Sequence, residues 1–403
     1  MLARAALGLA IVSIVTPAGA ASADEGDDLR GFIEFRMAAV NGEDSWIQEG
    51  YGKTRFGGEE DVESLARGIV LWRPQLGWNL DGYLTLEADT QLEPLVDVVE
   101  AYVTYRGAPS PGWRFSARAG VFYPPISLEH DGAAWTTTNT ITPSAINSWV
   151  SEEVKVVGAE ASARRRFGGH ELTARLALFG FNDTSGTLLA FRGWALGDVM
   201  AGVGSEMELP RTLIYQGSTR PTFELDDRIG YYAQVQYRPA QNISTDILFY
   251  DNRGDRVSDS DGQTNWETRF LSFGARIAFD RDTRFLAQAM SGRTIWGERT
   301  PAGYWVDADF NAAYILLAHE IGRHGVAGRI DYFDVRDNSF VATDNNDEEG
   351  WAATAAYQFE LSPEIRLAVE GLHVSSDRPS RAGQALDPEQ AQTVLQTSVE
   401  LSF

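Results

Sequence analysis

Apolar and polar residues alternate through most of this chain. A period of two places one face of a β-strand in an apolar medium and the other face in a polar one. The carboxyl-terminal nine residues show the pattern without a break, with these side chains on the apolar face: Leu395, Val399, Leu401 and Phe403. The alternation therefore predicts an all-β fold.

About sixteen segments, within a range of fourteen to eighteen, carry this alternation between turn residues. They lie near 29–40, 66–79, 82–92, 97–106, 112–122, 151–167, 169–182, 228–239, 242–252, 266–280, 282–296, 305–322, 325–336, 350–361, 364–376 and 391–403. The second segment is ambiguous, because Ile69 to Trp72 is apolar on both faces and Pro74 interrupts the pattern.

The connections between these segments alternate between short and long. The longer ones lie at 41–65, 123–150, 183–227, 253–265, 297–304, 337–349 and 377–390, and the connection at 93–96 is short but stands in a long position. Short turns on one side, longer loops on the other and an even number of strands are typical of a transmembrane antiparallel β-barrel. The alternative, a secreted β-sandwich, explains neither regularity.

The first 23 residues predict export. One positive charge at Arg4 precedes an apolar stretch from Ala5 to Val15, and small residues follow up to Ala23. This is the pattern of a secretory signal peptide, and the stretch is too short for a membrane helix. We therefore expect a signal peptide at 1–23 and a single barrel domain at 24–403, located in the outer membrane of a Gram-negative cell.

Composition narrows the function further. The 403 residues include no cysteine, which excludes disulfide and thiol chemistry. Thirty-four basic residues stand against 57 acidic ones, and the net charge of −23 argues against nucleic acid as a partner. The mean hydropathy of −0.24 suits a barrel as well as a soluble protein, because half of each barrel strand is polar.

A barrel of this size predicts an aqueous channel whose inward-facing charges set its selectivity. The segments at 112–122, 151–167 and 169–182 place four arginines inward against one carboxylate: Arg114, Arg118, Arg164 and Arg175 against Glu160. Glu100, on an earlier segment, is also predicted to line the pore. Such a basic patch attracts anions. Alternatively, these arginines pair with neighbouring carboxylates and only solvate the wall.

The third long connection, 123–150, is rich in prolines, serines and tryptophans, which favours an ordered loop. Two placements remain open. The loop folds into the barrel, where Glu129 and Asp131 face the arginines and create a transverse field, or it forms a rigid cap held on the rim by Trp135 and Trp149. The long connection at 183–227 is a second candidate for a cap, which favours a selective channel over an open sieve.

Together, these features resemble the porin superfamily of Gram-negative outer membranes, and residues 122–129 resemble phosphate-selective porins and uncharacterised proteobacterial barrels. The resemblance implies that the third loop narrows the pore and that the chain forms a homotrimer. It also implies that the terminal Phe403, with Leu401 and Val399, belongs to the signal read by the barrel-assembly machinery. Outer-membrane lipid, lipopolysaccharide and small hydrophilic solutes are the further partners that it implies.

Catalytic and metal sites are weakly indicated. Among five histidines, His130, between Glu129 and Asp131, is the least implausible general base, and no serine or acid stands at a recognisable spacing from the others. The acidic loops at 251–262 and 344–349 lack the full spacing of a calcium-binding EF-hand. We therefore predict no catalytic residues, no metal site and no cofactor.

Three functions follow from the sequence. The first is an outer-membrane porin that lets small hydrophilic or charged solutes diffuse past an arginine-lined wall and an inward third loop. The second is a channel selective for anions such as organic acids, using Arg118, Arg175 and the third loop. The third is a barrel without a transport function, either adhesive or a lipid-modifying enzyme.

Overall fold

The computed structural model describes residues 28–58, 62–108, 110–211, 217–240, 242–341 and 345–403. Sixteen long strands run through these residues. They are β1 Asp28–Asn41, β2 Val62–Arg73, β3 Leu80–Asp89, β4 Val96–Arg106, β5 Trp113–Phe122, β6 Val156–Phe167, β7 His170–Gly180, β8 Gly230–Ala240, β9 Ile243–Asp251, β10 Glu267–Ala278, β11 Thr283–Trp296, β12 Val306–Ile321, β13 His324–Asp337, β14 Glu348–Ser362, β15 Ile365–Asp377 and β16 Glu389–Ser402. The signal peptide predicted at 1–23 lies outside the described residues.

The strands form one closed antiparallel barrel. Each strand pairs with the next strand in the chain, and β1 also pairs with β16, where Phe32 stands opposite Ser402 and Asn41 opposite Thr393. A short strand, Gln75–Gly77, continues β2 after Pro74 and pairs with the start of β3. The predicted transmembrane-type barrel of about sixteen antiparallel strands is confirmed.

One predicted segment has a wrong boundary. The pattern placed a strand over 151–167, but the strand begins at Val156, because the preceding residues belong to an α-helix, α1 Ala145–Glu153. The side chain of Ser144 caps this helix by accepting a hydrogen bond from the backbone N–H of Asn147 at 3.3 Å. All nine residues of the helix are buried, so no alternation between an apolar and a polar face marks it in the sequence.

The two ends of the barrel differ in the length of their connections. Turns join the strands at the short-turn end, where β1 begins, and longer loops join them at the long-loop end. The three loops that matter most are the first loop (42–61), the third loop (123–155) and the fourth loop (181–229), which contains a short helix, α2 Thr187–Arg192. Within the described parts of the chain, neither helix has the length and apolar character needed to cross a membrane.

The alternating faces of the strands have opposite environments. On β1, the side chains of Ile33, Phe35 and Met37 are exposed on the outer wall, whereas the intervening Glu34 and Arg36 are buried inside the barrel. An outer wall of exposed apolar side chains is the surface that a lipid bilayer covers. The inner wall carries the charged residues and contacts the loops.

The lumen toward the long-loop end holds a packed core. Trp149 of α1 contacts the rings of Phe270, Phe310 and Trp194 edge-on, with ring centroids 5.2–6.1 Å apart. Phe270 and Phe310 face inward from β10 and β12, and Trp194 comes from the fourth loop. The expectation of a lumen without a side-chain core is therefore wrong for this part of the barrel, because aromatic wall residues and two inserted loops bury one another there.

The same packing explains the ambiguous second segment. Ile69 and Leu71 face inward from β2 and are buried against Tyr123 and Ala134 of the third loop and Met200 of the fourth loop. Their neighbours on the strand face the outer wall. Both faces of this strand are therefore apolar, one toward lipid and one toward the inserted loops.

Candidate pore interior

Buried hydrogen bonds join the third loop to inward-facing residues of the barrel wall. Its backbone N–H groups at Ile141 and Thr142 donate to Glu370 of β15 at 2.6 and 3.0 Å, and that of Ala145 donates to Asp331 of β13 at 3.1 Å. These carboxylates face inward on the wall opposite the strands that the loop connects. The loop therefore crosses the lumen and is fixed to its far side by buried hydrogen bonds.

Local turn chemistry shapes this loop before it crosses. Ser127 accepts hydrogen bonds from the backbone N–H groups of Glu129 and His130 at 3.1 and 3.2 Å. The rings of Tyr123, Trp135 and His130 form a stack, with Trp135 in the middle and centroids 3.8 and 3.7 Å apart. The order expected from the prolines and serines is present in the structure.

His130, the candidate base, has two serine neighbours. Its Nδ1 lies 2.7 Å from the hydroxyl of Ser127, and its Nε2 lies 3.5 Å from that of Ser151. Burial lowers the pKa of His130 to about 3; Arg67 adds to this effect, and Asp198 opposes it without reversing it. The ring is therefore neutral and held by stacking, which suits a structural role.

The predicted acidic residues of the third loop contact arginines other than the predicted ones. Glu129 accepts from Arg329 of β13 at 3.0 Å, and Asp131 pairs with Arg276 of β10 at 2.8 Å. Glu129 is only 2% exposed, so it belongs to the packed interior and not to an open pore surface. Asp131 remains partly exposed and faces the accessible lumen.

The four predicted pore arginines divide into two pairs. Arg118 is held in place by Glu160 at 3.2 Å and by the ring of Phe122, whose centroid is 4.0 Å from the guanidinium carbon. Arg175 donates to the side chain of Gln234. With only 17% of its side chain exposed, Arg118 follows the alternative in which arginines pair with wall carboxylates. Glu160 is buried in this pair.

Arg114 and Arg164 form the accessible pair, near the short-turn end. They line a cavity of about 220 Å³ together with Gly112, Trp113 and Arg166. Arg166 lies 2.6 Å from Glu171, and Arg164 lies 3.9 Å from the same carboxylate. Arg238 of β8 shares it too, at 3.6 Å. We call Arg114, Arg164, Arg166 and Arg238 the arginine cluster.

The arginine cluster has a local excess of positive charge. Glu171 is the one carboxylate that its members contact within 4.0 Å among the described residues, and Arg114 has no such partner there. These four arginines lie together near the short-turn end, and they include Arg166, which the strand pattern did not single out. Arg166 stands two residues after Arg164 on the same strand, so the period of two places its side chain on the same inward face.

Glu100, the remaining predicted residue, holds the start of the third loop. It is buried and accepts a hydrogen bond from the backbone N–H of Tyr123 at 3.0 Å. Lys155, at the other end of the loop, lies with its Nζ 4.8 Å from the centroid of the Tyr123 ring. Burial lowers the pKa of Lys155 to about 7. Tyr123 and Lys155, at the two ends of the third loop, are therefore both buried next to polar or charged groups.

A second basic group, not predicted as a site, lies deeper in the lumen. Arg36 of β1, Arg67 of β2 and Arg55 of the first loop converge on Asp198 of the fourth loop, at 2.7, 3.0 and 3.1 Å. We call these arginines the arginine triad. Burial opposes a charge on Asp198, but the three guanidinium groups outweigh it and hold its pKa well below the usual range.

The first, third and fourth loops are locked to one another. Lys53 donates to the carbonyl oxygens of Arg192 and Trp194 at 3.1 and 3.0 Å, and to Glu348 of β14 at 2.5 Å. Burial lowers the pKa of Lys53 to about 8, although Glu348 opposes the shift. Arg192 also pairs with Glu152 of α1. Both lysines of the chain are buried, and Lys53 lies between the first and fourth loops.

A carboxylate group of metal-ligand type occurs in the fourth loop. Asp183, Glu224 and Asp226 place oxygen atoms within 4.8 Å of one another. They differ from the acidic loops considered from the sequence, of which the segment at 344–349 begins outside the described residues. Hydrogen bonds from the backbone N–H of Leu225 to Asp183 and from the amide of Asn265 to Asp226 fix their arrangement.

No protein-family model matches the chain, and no curated protein sequence matches it. Among solved structures, the chain is similar to in-vitro folded OmpT, an outer membrane protein of Vibrio cholerae, with a TM-score of 0.52 and 9% identity over 95% of this chain and 99% of that one. The trimer form of the same protein gives a TM-score of 0.50 and 8% identity over 94% of this chain and 99% of that one.

A third similar structure is the anion-selective porin from Comamonas acidovorans. It gives a TM-score of 0.51 and 13% identity over 94% of this chain and 99% of that porin. Identities this low establish a shared fold and nothing finer. The chain therefore has the sixteen-stranded barrel fold of bacterial outer-membrane porins, as its sequence pattern predicts.

Proposed function

We propose that this protein is an outer-membrane channel that favours small anionic solutes over cations. The observation that carries the proposal is the arginine cluster, which lines the accessible lumen; three of its four members share Glu171, the one carboxylate within 4.0 Å of them among the described residues. Positive charge on a low-dielectric wall raises the local concentration of anions. The similarity to an anion-selective porin supports the same selectivity.

The barrel supports an outer-membrane location with its short turns in the periplasm. Exposed apolar side chains on the outer wall suit a bilayer, and short turns at one end with long loops at the other suit a barrel with its turns in the periplasm. The export signal predicted at 1–23 supports this location. The expected surroundings are outer-membrane lipid and lipopolysaccharide, with assembly by the barrel-assembly machinery. A homotrimer is supported by the trimer form of the similar Vibrio cholerae protein.

The inserted loops favour a selective channel over a wide diffusion pore. The third and fourth loops fill the lumen toward the long-loop end with buried side chains, including Trp149, Trp194 and Leu196. A solute must therefore pass a narrow path or displace part of a loop. We propose that Asp131 and Arg276, which remain partly exposed, border that path.

The packed core also favours a second candidate, a barrel without a transport function. Such a barrel needs no open path, and a rigid interior would serve as its scaffold. We propose no catalytic role for His130 in such a barrel, because its ring is buried, stacks on Trp135 and has its two nitrogens next to the hydroxyls of Ser127 and Ser151. The two candidates differ in whether the folded protein conducts ions.

Single-channel recording in planar bilayers under a potassium chloride gradient tests the proposal. We expect unitary current steps, with a reversal potential on the side that indicates preference for chloride. Heat-modifiable migration in gels confirms that the refolded sample is a barrel. A folded barrel that carries no current, across a range of voltages, would support the scaffold instead. A current selective for potassium would contradict the role assigned to the arginine cluster.

A further inference from the structure

The carboxylate of Asp198 is held as a bound ligand is held. Arg36 donates to both of its oxygens, from Nη1 at 2.9 Å and from Nη2 at 2.7 Å. Arg55 donates to Oδ1 at 3.1 Å, and Arg67 lies 3.0 Å from Oδ2. A forked pair of hydrogen bonds from one guanidinium matches a planar carboxylate in both shape and charge.

The arginine triad is fixed independently of Asp198. Glu34 accepts from Arg36 at 2.9 Å and lies 3.0 Å from Arg67, while Asp89 of β3 lies 2.5 Å from Arg55. A fourth wall carboxylate, Glu87, is more distant, at 3.6 Å from Arg67. The wall therefore orients the three guanidinium groups, and each of them also directs at least one nitrogen at the position that Asp198 occupies. Buried donors without an acceptor are costly, so this position requires one.

Asp198 belongs to a loop and not to the wall. The flanking backbone is attached to other loops, through the N–H of Leu196 to the carbonyl of Lys53 at 2.8 Å and the N–H of Ala201 to the carbonyl of Ser151 at 3.0 Å. Leu196, Val199 and Ala201 are all buried in the lumen. Withdrawal of Asp198 from the triad therefore requires the segment 194–201 to move, which would clear part of the lumen.

We propose that the arginine triad is a binding site for a carboxylate-bearing solute and that Asp198 is a tethered ligand that occupies it in the closed channel. This inference rests on the proposed channel function and adds the solute class and the closing contact. A solute carboxylate replaces that of Asp198 on the same side-chain donors, and only the bond from Arg67 Nη1 to the backbone carbonyl of Asp198, at 3.3 Å, is lost in the exchange. Binding and displacement of the segment 194–201 are one event.

The exchange sets the concentration at which the solute acts. Even a short flexible tether gives a carboxylate an effective concentration on the order of millimolar, and the packed segment 194–201 holds Asp198 more firmly than such a tether. A free solute therefore competes only at millimolar levels or above. Removal of the tethered carboxylate eliminates the competition, and a small carboxylate then occupies the empty place at lower concentration.

Chemical rescue with acetate tests the site. In Asp198→Ala, acetate supplies the carboxylate that the substitution removes, so we expect it to raise the thermal unfolding temperature of this variant by several degrees relative to chloride at the same ionic strength. The wild-type protein should show little of this effect at the same concentration. Inorganic phosphate in a parallel titration distinguishes a planar carboxylate site from a general anion site. A shift as large with phosphate as with acetate would overturn the carboxylate assignment.

Conductance measurements test whether Asp198 closes the channel. Asp198→Asn keeps the shape of the side chain and removes its charge, and we expect its unitary conductance to exceed the wild-type value several-fold. The matched control is Asp227→Asn, the same change at an exposed position of the same loop, which should conduct like the wild type. Wild-type conductance in Asp198→Asn, together with no acetate effect in Asp198→Ala, would overturn the proposal.

The outcomes also separate this inference from the channel proposal. Acetate stabilisation without any current retains the binding site and removes the channel, whereas current without an acetate effect retains the channel and removes the site. If the Asp198 variants fail to refold, the conductance of the wild-type protein in the presence of acetate tests the proposal. A conductance that rises with millimolar acetate at constant ionic strength supports the exchange, and a flat response overturns it.

Discussion

Glu129 Oε1 lies 3.0 Å from Nη1 of Arg329 and joins the third loop to the far wall of the barrel. Arg329 also donates to Asp331 at 2.8 Å and to the carbonyl oxygens of Thr142 and Pro143 at 2.7 and 2.9 Å. One buried guanidinium therefore gathers two parts of the loop and the wall. Glu129 is the carboxylate through which the third loop pairs with Arg329.

Removal of Glu129 should loosen the third loop. In Glu129→Ala, the buried Arg329 keeps Asp331 but loses its loop carboxylate, and the loss of one member of a buried ion pair costs about 3 kcal/mol. We expect the free energy of unfolding, measured by urea titration in lipid vesicles, to fall by about that amount. The control is Glu320→Ala, because Glu320 pairs with Arg284 in an exposed position and should cost less than about 1 kcal/mol. Equal losses in the two variants would contradict the assigned role.

Most of the strands could be predicted from the sequence because they obey one physical rule. An outer wall in lipid and an inner wall with polar groups impose a period of two, and the turns interrupt it at regular intervals. The rule fails at Ile69 and Leu71, which are apolar although they face inward. Their partners, Tyr123 and Met200, lie far away in the chain, and no local pattern connects them.

The candidate site was only partly predictable for a related reason. Strand alternation places Arg114 and Arg164 on the inner wall, but it does not show which inward arginines meet a loop carboxylate. Arg118 and Glu160 neutralise each other across two paired strands. Asp198 reaches the arginine triad from a loop whose path is set by tertiary packing. Inward aromatic residues such as Phe310 were the available signal that something fills the lumen.

The arginine cluster offers a test with an internal control on one strand. Arg164 faces the lumen, whereas its neighbour Arg165 faces the outer wall, where its guanidinium lies 5.2 Å from the ring centroid of Trp113. Arg164→Gln removes a lumen charge, which we expect to lower the anion-to-cation permeability ratio roughly twofold at moderate salt, as for a screened interaction of about 0.5 kcal/mol. Arg165→Gln removes the same charge outside the lumen and should leave the reversal potential unchanged.

The permeability ratio is obtained from reversal potentials under a potassium chloride gradient. Because the effect of Arg164 is electrostatic, it should shrink as the mean salt concentration rises. Equal shifts in Arg164→Gln and Arg165→Gln would show that the overall charge of the protein, and not the arginine cluster, sets the selectivity.

The buried, neutral state of His130 should make the folded protein less stable in acid. Burial lowers its pKa to about 3 from an ordinary value of 6.5, so between these pH values the unfolded chain binds a proton that the folded protein does not. Stability is therefore lost as the pH falls from 6.5 toward 3, by about 1.4 kcal/mol per pH unit. His130→Gln removes this contribution, and its unfolding free energy should depend less steeply on pH over that range.

The control for this pH dependence is His324→Gln, at the exposed start of β13. Its stability should follow the wild-type pH curve. If the curve of His130→Gln also coincides with that of the wild type, then other buried groups cause the acid sensitivity.

The terminal residue Phe403 closes the barrel in two ways. Its backbone N–H donates to the carbonyl of Gly31 at 2.9 Å, and its carbonyl accepts from the N–H of Gly31 at 3.1 Å. Its ring covers Gly31 so closely that an added methyl group there would lie 2.4 Å from Cζ. An aromatic ring over a strand glycine shields the backbone where the first and last strands meet.

We therefore predict that Phe403→Ala slows barrel assembly several-fold while leaving the backbone hydrogen bonds to Gly31 possible. Leu401 is the matched control, because it also faces the outer wall on β16 but does not cover a glycine, so Leu401→Ala should assemble at close to the wild-type rate. The measurement is the appearance of the heat-modifiable form over time in vesicles that contain the barrel-assembly machinery. Val399→Ala provides a third member of the series. If all three variants slow assembly equally, the apolar face of β16 as a whole, and not its terminal ring, is what the machinery reads.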